Sequence, residues 1–71
     1  MILQHLKDIR EDNDVRQTTI AEYLGVSQNT YSQYENGVIS ISPEMLVKLA
    51  DYFHVSVDYL LGKTNDRSPN P

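Results

Sequence analysis

The sequence contains no cysteine. No disulfide can staple the fold, and no thiolate is at hand to bind a metal or attack a substrate. That usage fits a reducing cytosol. Long apolar runs are missing too. The opening residues, MILQHLKDIR, carry charge from Lys7 onward, and no stretch approaches the length of a membrane span or of a signal peptide's core. A soluble, cytoplasmic chain with no membrane partner is expected. There is no phosphate-cradling glycine loop and no nucleophile–base arrangement, so the chain does not read as an enzyme. His5 and His54 lie far apart with no cysteine or carboxylate pattern around them, which argues against a metal site. The acidic run at residues 11–14 lacks the loop pattern of a calcium site and reads as a solvated turn. No cofactor is expected. Positive charge is scarce: six Lys and Arg stand against ten Asp and Glu, for a net charge of −4. The cations are Lys7, Arg10, Arg16, Lys48, Lys63 and Arg67, so none falls within residues 17–47. Non-specific affinity for nucleic acid comes from cations neutralising phosphates, and this composition argues against a generic nucleic-acid glue.

What is present fits one small domain. With 71 residues the chain buries a modest share of its surface and is marginally stable. Ile2, Leu3, Leu6, Ile9 and Arg10 recur at helical spacing and predict a helix from about residue 2 to residue 11, interrupted by the turn-favouring cluster EDND. QTTIAEYLG gives a two-turn helix with Ile20, Ala21 and Leu24 on its apolar face and Gly25 ending it. A helix that short must dock on its neighbours. Ser27 is suited to cap the next helix, QNTYSQYEN, which Gly37 stops. With Tyr31 turned inward, Tyr34 lies near it and Glu35 on a flank. Asn29, Ser32, Gln33 and Asn36 point the other way, with Gln28 at their edge. That outer face is neutral, polar and hydrogen-bonding. Residues 38–42 read as an extended connector. Ser42-Pro43-Glu44 is a helix start, followed by the stripe Met45, Leu46, Leu49, Ala50 and Phe53. Ser56 can cap a last short helix, VDYLL, closed by Gly62. The expectation is an all-α fold of five short helices, a domain over residues 1–62 and a loose polar tail over 63–71.

Two helices joined by a tight glycine turn form a helix-turn-helix. Here the pattern comes with more: Gln17, Ala21, Leu24-Gly25-Val26-Ser27, then Tyr34-Glu35-Asn36-Gly37, then Leu46-Val47-Lys48-Leu49-Ala50, then Val55-Ser56-Val57-Asp58-Tyr59-Leu60-Leu61. In that order, from roughly Leu3 to Gly62, the sequence resembles the Cro and phage-repressor (XRE-type) family of helix-turn-helix regulators. The resemblance implies a compact five-helix lambda-repressor-like domain that binds double-stranded DNA at an operator, usually as a homodimer. It implies that the second motif helix presents Gln28, Asn29, Ser32 and Gln33 to base edges in the major groove. It places Gln17 and Asn36 near phosphates, and matches Arg10 and Glu35 to positions that in some phage repressors form an ion pair. Val57, Leu60 and Leu61 are the expected dimer interface, since the last helix carries more apolar residues than its own docking needs.

Two positions depart from the family pattern. Arg16 stands where Ser or Thr usually caps the second helix; an absent cap costs about 1 kcal/mol, while an arginine there can reach phosphate. Val38-Ile39-Ser40-Ile41 stands where basic residues are common, leaving the loop past the DNA backbone without cations. No ligand-binding domain follows Gly62 in the sequence, so a signal is expected from a regulatory protein partner, from the protein's own concentration or from a remainder beyond it. The acidic balance also fits a second function, a protein-interaction module of antitoxin or anti-repressor type on the same fold.

Overall fold

Three serines and one glycine set most of the helix boundaries. In the computed structural model, which describes residues 3–69, Ser27, Ser42 and Ser56 each have extended backbone and accept a hydrogen bond at Oγ from the amide three residues on. The distances are 3.1 Å from Thr30, 3.2 Å from Met45 and 2.9 Å from Tyr59. Each bond satisfies one of the donors that a helix start leaves free. Among the described residues the elements are α1 (Gln4–Asp12), α2 (Gln17–Leu24), α3 (Gln28–Glu35), α4 (Pro43–Phe53) and α5 (Val57–Leu60), with no strand. None of these helices is long and apolar enough to cross a membrane.

The core gathers one apolar side from each helix. Leu3, Leu6 and Ile9 come from the start of the chain and α1, and Ile20, Ala21 and Leu24 from α2. Tyr31 is the one aromatic that α3 buries completely. Leu46, Leu49, Ala50 and Phe53 are the inward stripe of α4, as their spacing predicts. Val55, Tyr59 and Leu60 close the bottom. No helix here exceeds eleven residues, so each is held by this shared burial rather than by its own propensity.

The structure departs from the sequence reading in two places. First, α1 runs one residue past its expected end: Asp12 remains helical, and the break comes at Asn13 and Asp14. The reason is local, because Asn13 closes the helix twice over. Its amide N donates to the Ile9 carbonyl at 3.1 Å and its side-chain Nδ2 to the same oxygen at 2.8 Å. Asp14 then reverses the chain in the left-handed region, φ 58°. At the other end α1 begins at Gln4, and Ile2 lies outside the described residues.

The described part of the tail makes contacts with the domain. Lys63 N donates to the Asp58 carbonyl at 2.9 Å. Arg67 folds back over α5, its Nε donating to the Tyr59 hydroxyl at 2.9 Å and its Nη2 pairing with Asp12 at 2.6 Å. His5 stacks on the Tyr59 ring at 4.4 Å between centroids. The tail is thereby tied to α1 and α5 together.

Second, Leu60, expected at a dimer interface, is turned inward. It is 1% exposed and belongs to the protomer's own core, whereas Val57 and Leu61 are half-buried at the surface.

Candidate nucleic-acid interface

The turn between α2 and α3 is built from three small demands. Gly25 takes φ 76°, which an L-residue adopts only with strain. This lets Gly25 N and Val26 N bond back to Glu22 and Ala21 carbonyls at 3.1 and 3.0 Å, closing α2. Ala21, buried, is small enough for the two helices to meet, and Val26 packs against the core from within the turn. Ser27 then restarts the chain as α3.

On α3 the helical period separates two faces. Tyr31 and Glu35 are buried. Gln28, Asn29 and Asn36 are exposed, and Ser32 and Gln33 half-buried on the same outward side. The Gln33 carbonyl accepts from Val38 N at 2.9 Å, so the turn after α3 folds back onto the helix. The outward face carries hydrogen-bond donors and acceptors and no charge. Gln and Asn side chains match adenine at N6 and N7, and serine can serve several bases.

Beneath this face lies a buried ion pair. Arg10 of α1 donates from Nε to Glu35 Oε2 at 2.6 Å and from Nη2 to Oε1 at 3.2 Å, a two-point contact. Its Nη1 donates to the Val15 carbonyl at 2.9 Å. Side-chain exposure is 11% for Arg10 and 2% for Glu35, so the pair is held away from solvent screening. The hydrogen bond that Arg10 donates to Glu35 raises the Arg10 pKa above its ordinary value, outweighing burial. Tyr31 shares this site: burial, and then Glu35, hold its phenol above the usual range. Leu3 N donates to the Glu35 carbonyl at 3.0 Å, anchoring the start of the chain to α3 as well. The whole assembly fixes α3 against α1.

The residues matched to phosphate contacts take distinct places. Arg16 is exposed at the N-cap of α2, makes no side-chain cap bond, and leaves the first amides of that helix free. Gln17 turns instead toward Glu35, donating from Nε2 to Oε1 at 3.4 Å, and its Oε1 accepts from Gln28 Nε2 at 3.5 Å. Asn36 is the C-cap of α3, its Nδ2 3.4 Å from Ser32 Oγ. The link from Gln28 through Gln17 to Glu35 had no signal in the sequence, because it joins three separated positions. An apolar groove of about 480 Å³ also emerges beside α3, with Tyr34, Ile39, Ile41, Val47, Val57 and Leu61 along it. Val38, Ile39 and Val47 are exposed; Ile39 and Val47 line the groove, and Val38 and Ile39 stand where the sequence lacks the expected cations.

A glycine-hinged helix pair that offers a neutral polar face on its second helix defines a helix-turn-helix protein. The comparison with known families agrees: the helix-turn-helix family model matches residues 6–60, and the chain belongs to this XRE-type family. Among curated proteins it is similar to the antitoxin PezA of Streptococcus pneumoniae, 35% identical over 71 residues, covering all of this chain and 44% of that protein. It is similar to the HTH-type transcriptional regulator AnsR of Bacillus subtilis, 34% identical, covering all of this chain and 61% of AnsR. It is also similar to the cryptic phage CTXphi transcriptional repressor RstR of Vibrio cholerae, 34% identical over 61 residues, covering 86% of this chain and 55% of RstR. The chain thus spans about half the length of these relatives. No solved structure gives a significant match.

Proposed function

We propose that the chain is a cytoplasmic, non-enzymatic, sequence-specific DNA-binding transcriptional regulator, a repressor, that lays α3 in the major groove. The observation that carries this is the outward face of α3: Gln28, Asn29, Ser32 and Gln33 are accessible and uncharged on a helix whose opposite side is pinned by Tyr31 and by the Arg10/Glu35 pair. Base edges are read by such donors and acceptors, and phosphate contacts supply position. In this reading Arg16, Gln17 and Asn36 meet the backbone, helped by the free amides at the start of α2. Two copies associate through the groove beside Val57 and Leu61, spacing half-sites by about one helical turn, roughly 34–36 Å. Enrichment of duplexes from a randomised pool tests the reading. One shared motif should emerge, and Gln28→Ala, Asn29→Ala and Gln33→Ala should each erase part of it.

A second reading is favoured by the groove and by the likeness to an antitoxin: a protein-interaction module of antitoxin or anti-repressor type, with an apolar partner surface on α4 and α5. It takes precedence if no motif emerges from the pool.

A further inference from the structure

Asn36 is the C-cap of α3, exposed, and followed by Gly37. An asparagine before glycine carries a reactive pair: the side-chain amide carbon Cγ, and a peptide nitrogen that no following Cβ shields. Attack of the nitrogen on Cγ closes a five-membered ring. Asn13 offers a comparison within the same chain. It too is an exposed helix C-cap with nearly the same backbone, φ −92° and ψ 4° against −86° and −1° at Asn36. Two differences remain. Asp14 follows Asn13, so a side chain stands beside the nitrogen. The Asn13 side-chain amide is also held on the Ile9 carbonyl at 2.8 Å, whereas that of Asn36 has only the Ser32 hydroxyl at 3.4 Å.

The folded helix end keeps the reactive pair apart. At ψ −1° the Gly37 nitrogen is turned away from Asn36 Cγ, and its hydrogen is donated to the Tyr34 carbonyl at 3.2 Å. The ring closes only when this last turn opens. Helix ends fray at far less free energy than the fold as a whole, and the bond to be broken is at the long end of its range.

We propose that Asn36 is a site of self-modification gated by the C-terminal turn of α3, where the side-chain amide is exchanged for a carboxylate when the turn opens. Solvent base takes the Gly37 amide proton and the nitrogen attacks Cγ. The N–Cγ bond forms, the Cγ–Nδ2 bond breaks, and Nδ2 takes a proton from water and leaves as ammonia. Water then opens the succinimide at either carbonyl, giving aspartate or isoaspartate. The balance is one water in and one ammonia out, with no change of oxidation state. Either product places a negative charge at the negative end of the α3 dipole. On the reading that Asn36 meets a DNA phosphate, on which this consequence rests, that charge ends binding and a bound duplex holds the turn shut. Modification then retires unbound copies, and does so irreversibly.

The test ages the full chain in warm, mildly alkaline buffer, read by peptide mass spectrometry and by an isoaspartate-specific methyltransferase. Asn36 should convert to a mixture of aspartate and isoaspartate, while Asn13, Asn29 and Asn65, which precede Asp14, Thr30 and Asp66, stay unchanged. Unfolding in urea should speed conversion at Asn36, and Asn36→Gln, which would need a larger ring, should abolish it. Conversion at Asn13 as fast as at Asn36 overturns the proposal. So does a rate at Asn36 that is the same folded and unfolded, since the turn is then no gate. These arms need no DNA. On a duplex enriched from a randomised pool, Asn36→Asp should bind about tenfold or more weakly than the unmutated chain, and Asn36→Gln within about threefold of it. Melting checks that both variants fold. Saturating duplex should slow conversion at Asn36. Equal binding by Asn36→Asp, or equal conversion with and without duplex, overturns the link to DNA binding. If no duplex is enriched, base reading by α3 falls and that link falls with it, while mass spectrometry still decides the modification.

Discussion

Breaking the Arg10/Glu35 pair from one side should be far more damaging than replacing it from both. Glu35 is 2% exposed and Arg10 11%, so a single truncation strands a charge where water cannot reach it well. Such losses run to about 3–5 kcal/mol, whereas exchanging both partners for apolar groups of similar volume is often neutral. Arg10→Met strands Glu35 and also deprives the Val15 carbonyl of its donor, so about 4 kcal/mol is expected. Glu35→Met strands Arg10, which keeps Val15 and a little solvent, so about 3 kcal/mol is expected. In the double variant the charge penalty vanishes and only the Val15 hydrogen bond is missing, about 1 kcal/mol. The single losses therefore add to roughly 7 kcal/mol, and the coupling between the two sites is about 6 kcal/mol. A domain of 71 residues has only about 4–11 kcal/mol in total, so each single variant sits near the limit of folding. Thermal melting followed by circular dichroism reads this directly, since 1 kcal/mol moves the midpoint by roughly 4–8 °C at this size. Single variants should melt at least about 12 °C lower, and the double variant within about 8 °C of the parent. If the double variant melts as low as the sum of the singles requires, the pair is not a coupled buried unit and the reasoning fails.

Other consequences can be measured alongside. On the enriched duplex, Asn29→Ala and Gln33→Ala should each cost about 1–3 kcal/mol and much less on random DNA; Arg16→Ala should weaken both alike and flatten the salt dependence by about one unit of slope. Leu61→Glu should give a folded monomer in sedimentation, and Leu60→Glu, which places a charge in the core, should give no cooperative melt. Because the Tyr31 phenol is held above its ordinary value of 10.0, the folded state keeps a proton that the unfolded chain loses. Stability is then present in full below about pH 10 and falls above it by about 1.4 kcal/mol per pH unit. Denaturant titrations at alkaline pH should show that slope shrink by the same amount in Tyr31→Phe. Gly25→Ala meets no atom within 4 Å, so its loss of about 1–2 kcal/mol, read by melting, reports the left-handed backbone alone.

The parts of the fold that sequence made legible are those fixed by short-range rules. Ser27, Ser42, Ser56 and Gly25 act within one turn of themselves, so their types and spacing locate the helix ends without any knowledge of packing. The same holds for the outward face of α3, which follows once Tyr31 is turned inward. What was not legible depended on distance. The Arg67 clasp joins Asp12 across 55 positions, and the Gln28, Gln17 and Glu35 link joins two helices. No local pattern announces either. Leu60 and Leu61 were hard to tell apart for a different reason. α5 has four residues, barely one helical turn, so it offers no repeating stripe to say which of two adjacent leucines faces inward.

The lack of cations around α3 changes what kind of DNA reader this fold can be. Lysine and arginine on phosphates raise affinity for every duplex equally, so a strongly basic reader spends much of its time on the wrong sequence. Here the nearest exposed cation in sequence is Arg16, since Arg10 is neutralised by Glu35, and the chain as a whole repels DNA through its net charge of −4. In the proposed reading, binding then comes from contacts that depend on sequence: amides on base edges, with free helix amides at the start of α2 for position. A neutral reader of this kind needs its side chains held, because each weak hydrogen bond contributes only if its donor and acceptor are already aimed. The buried pair beneath α3 fits that need. It adds no charge to the outward face of α3, and it fixes the helix against α1.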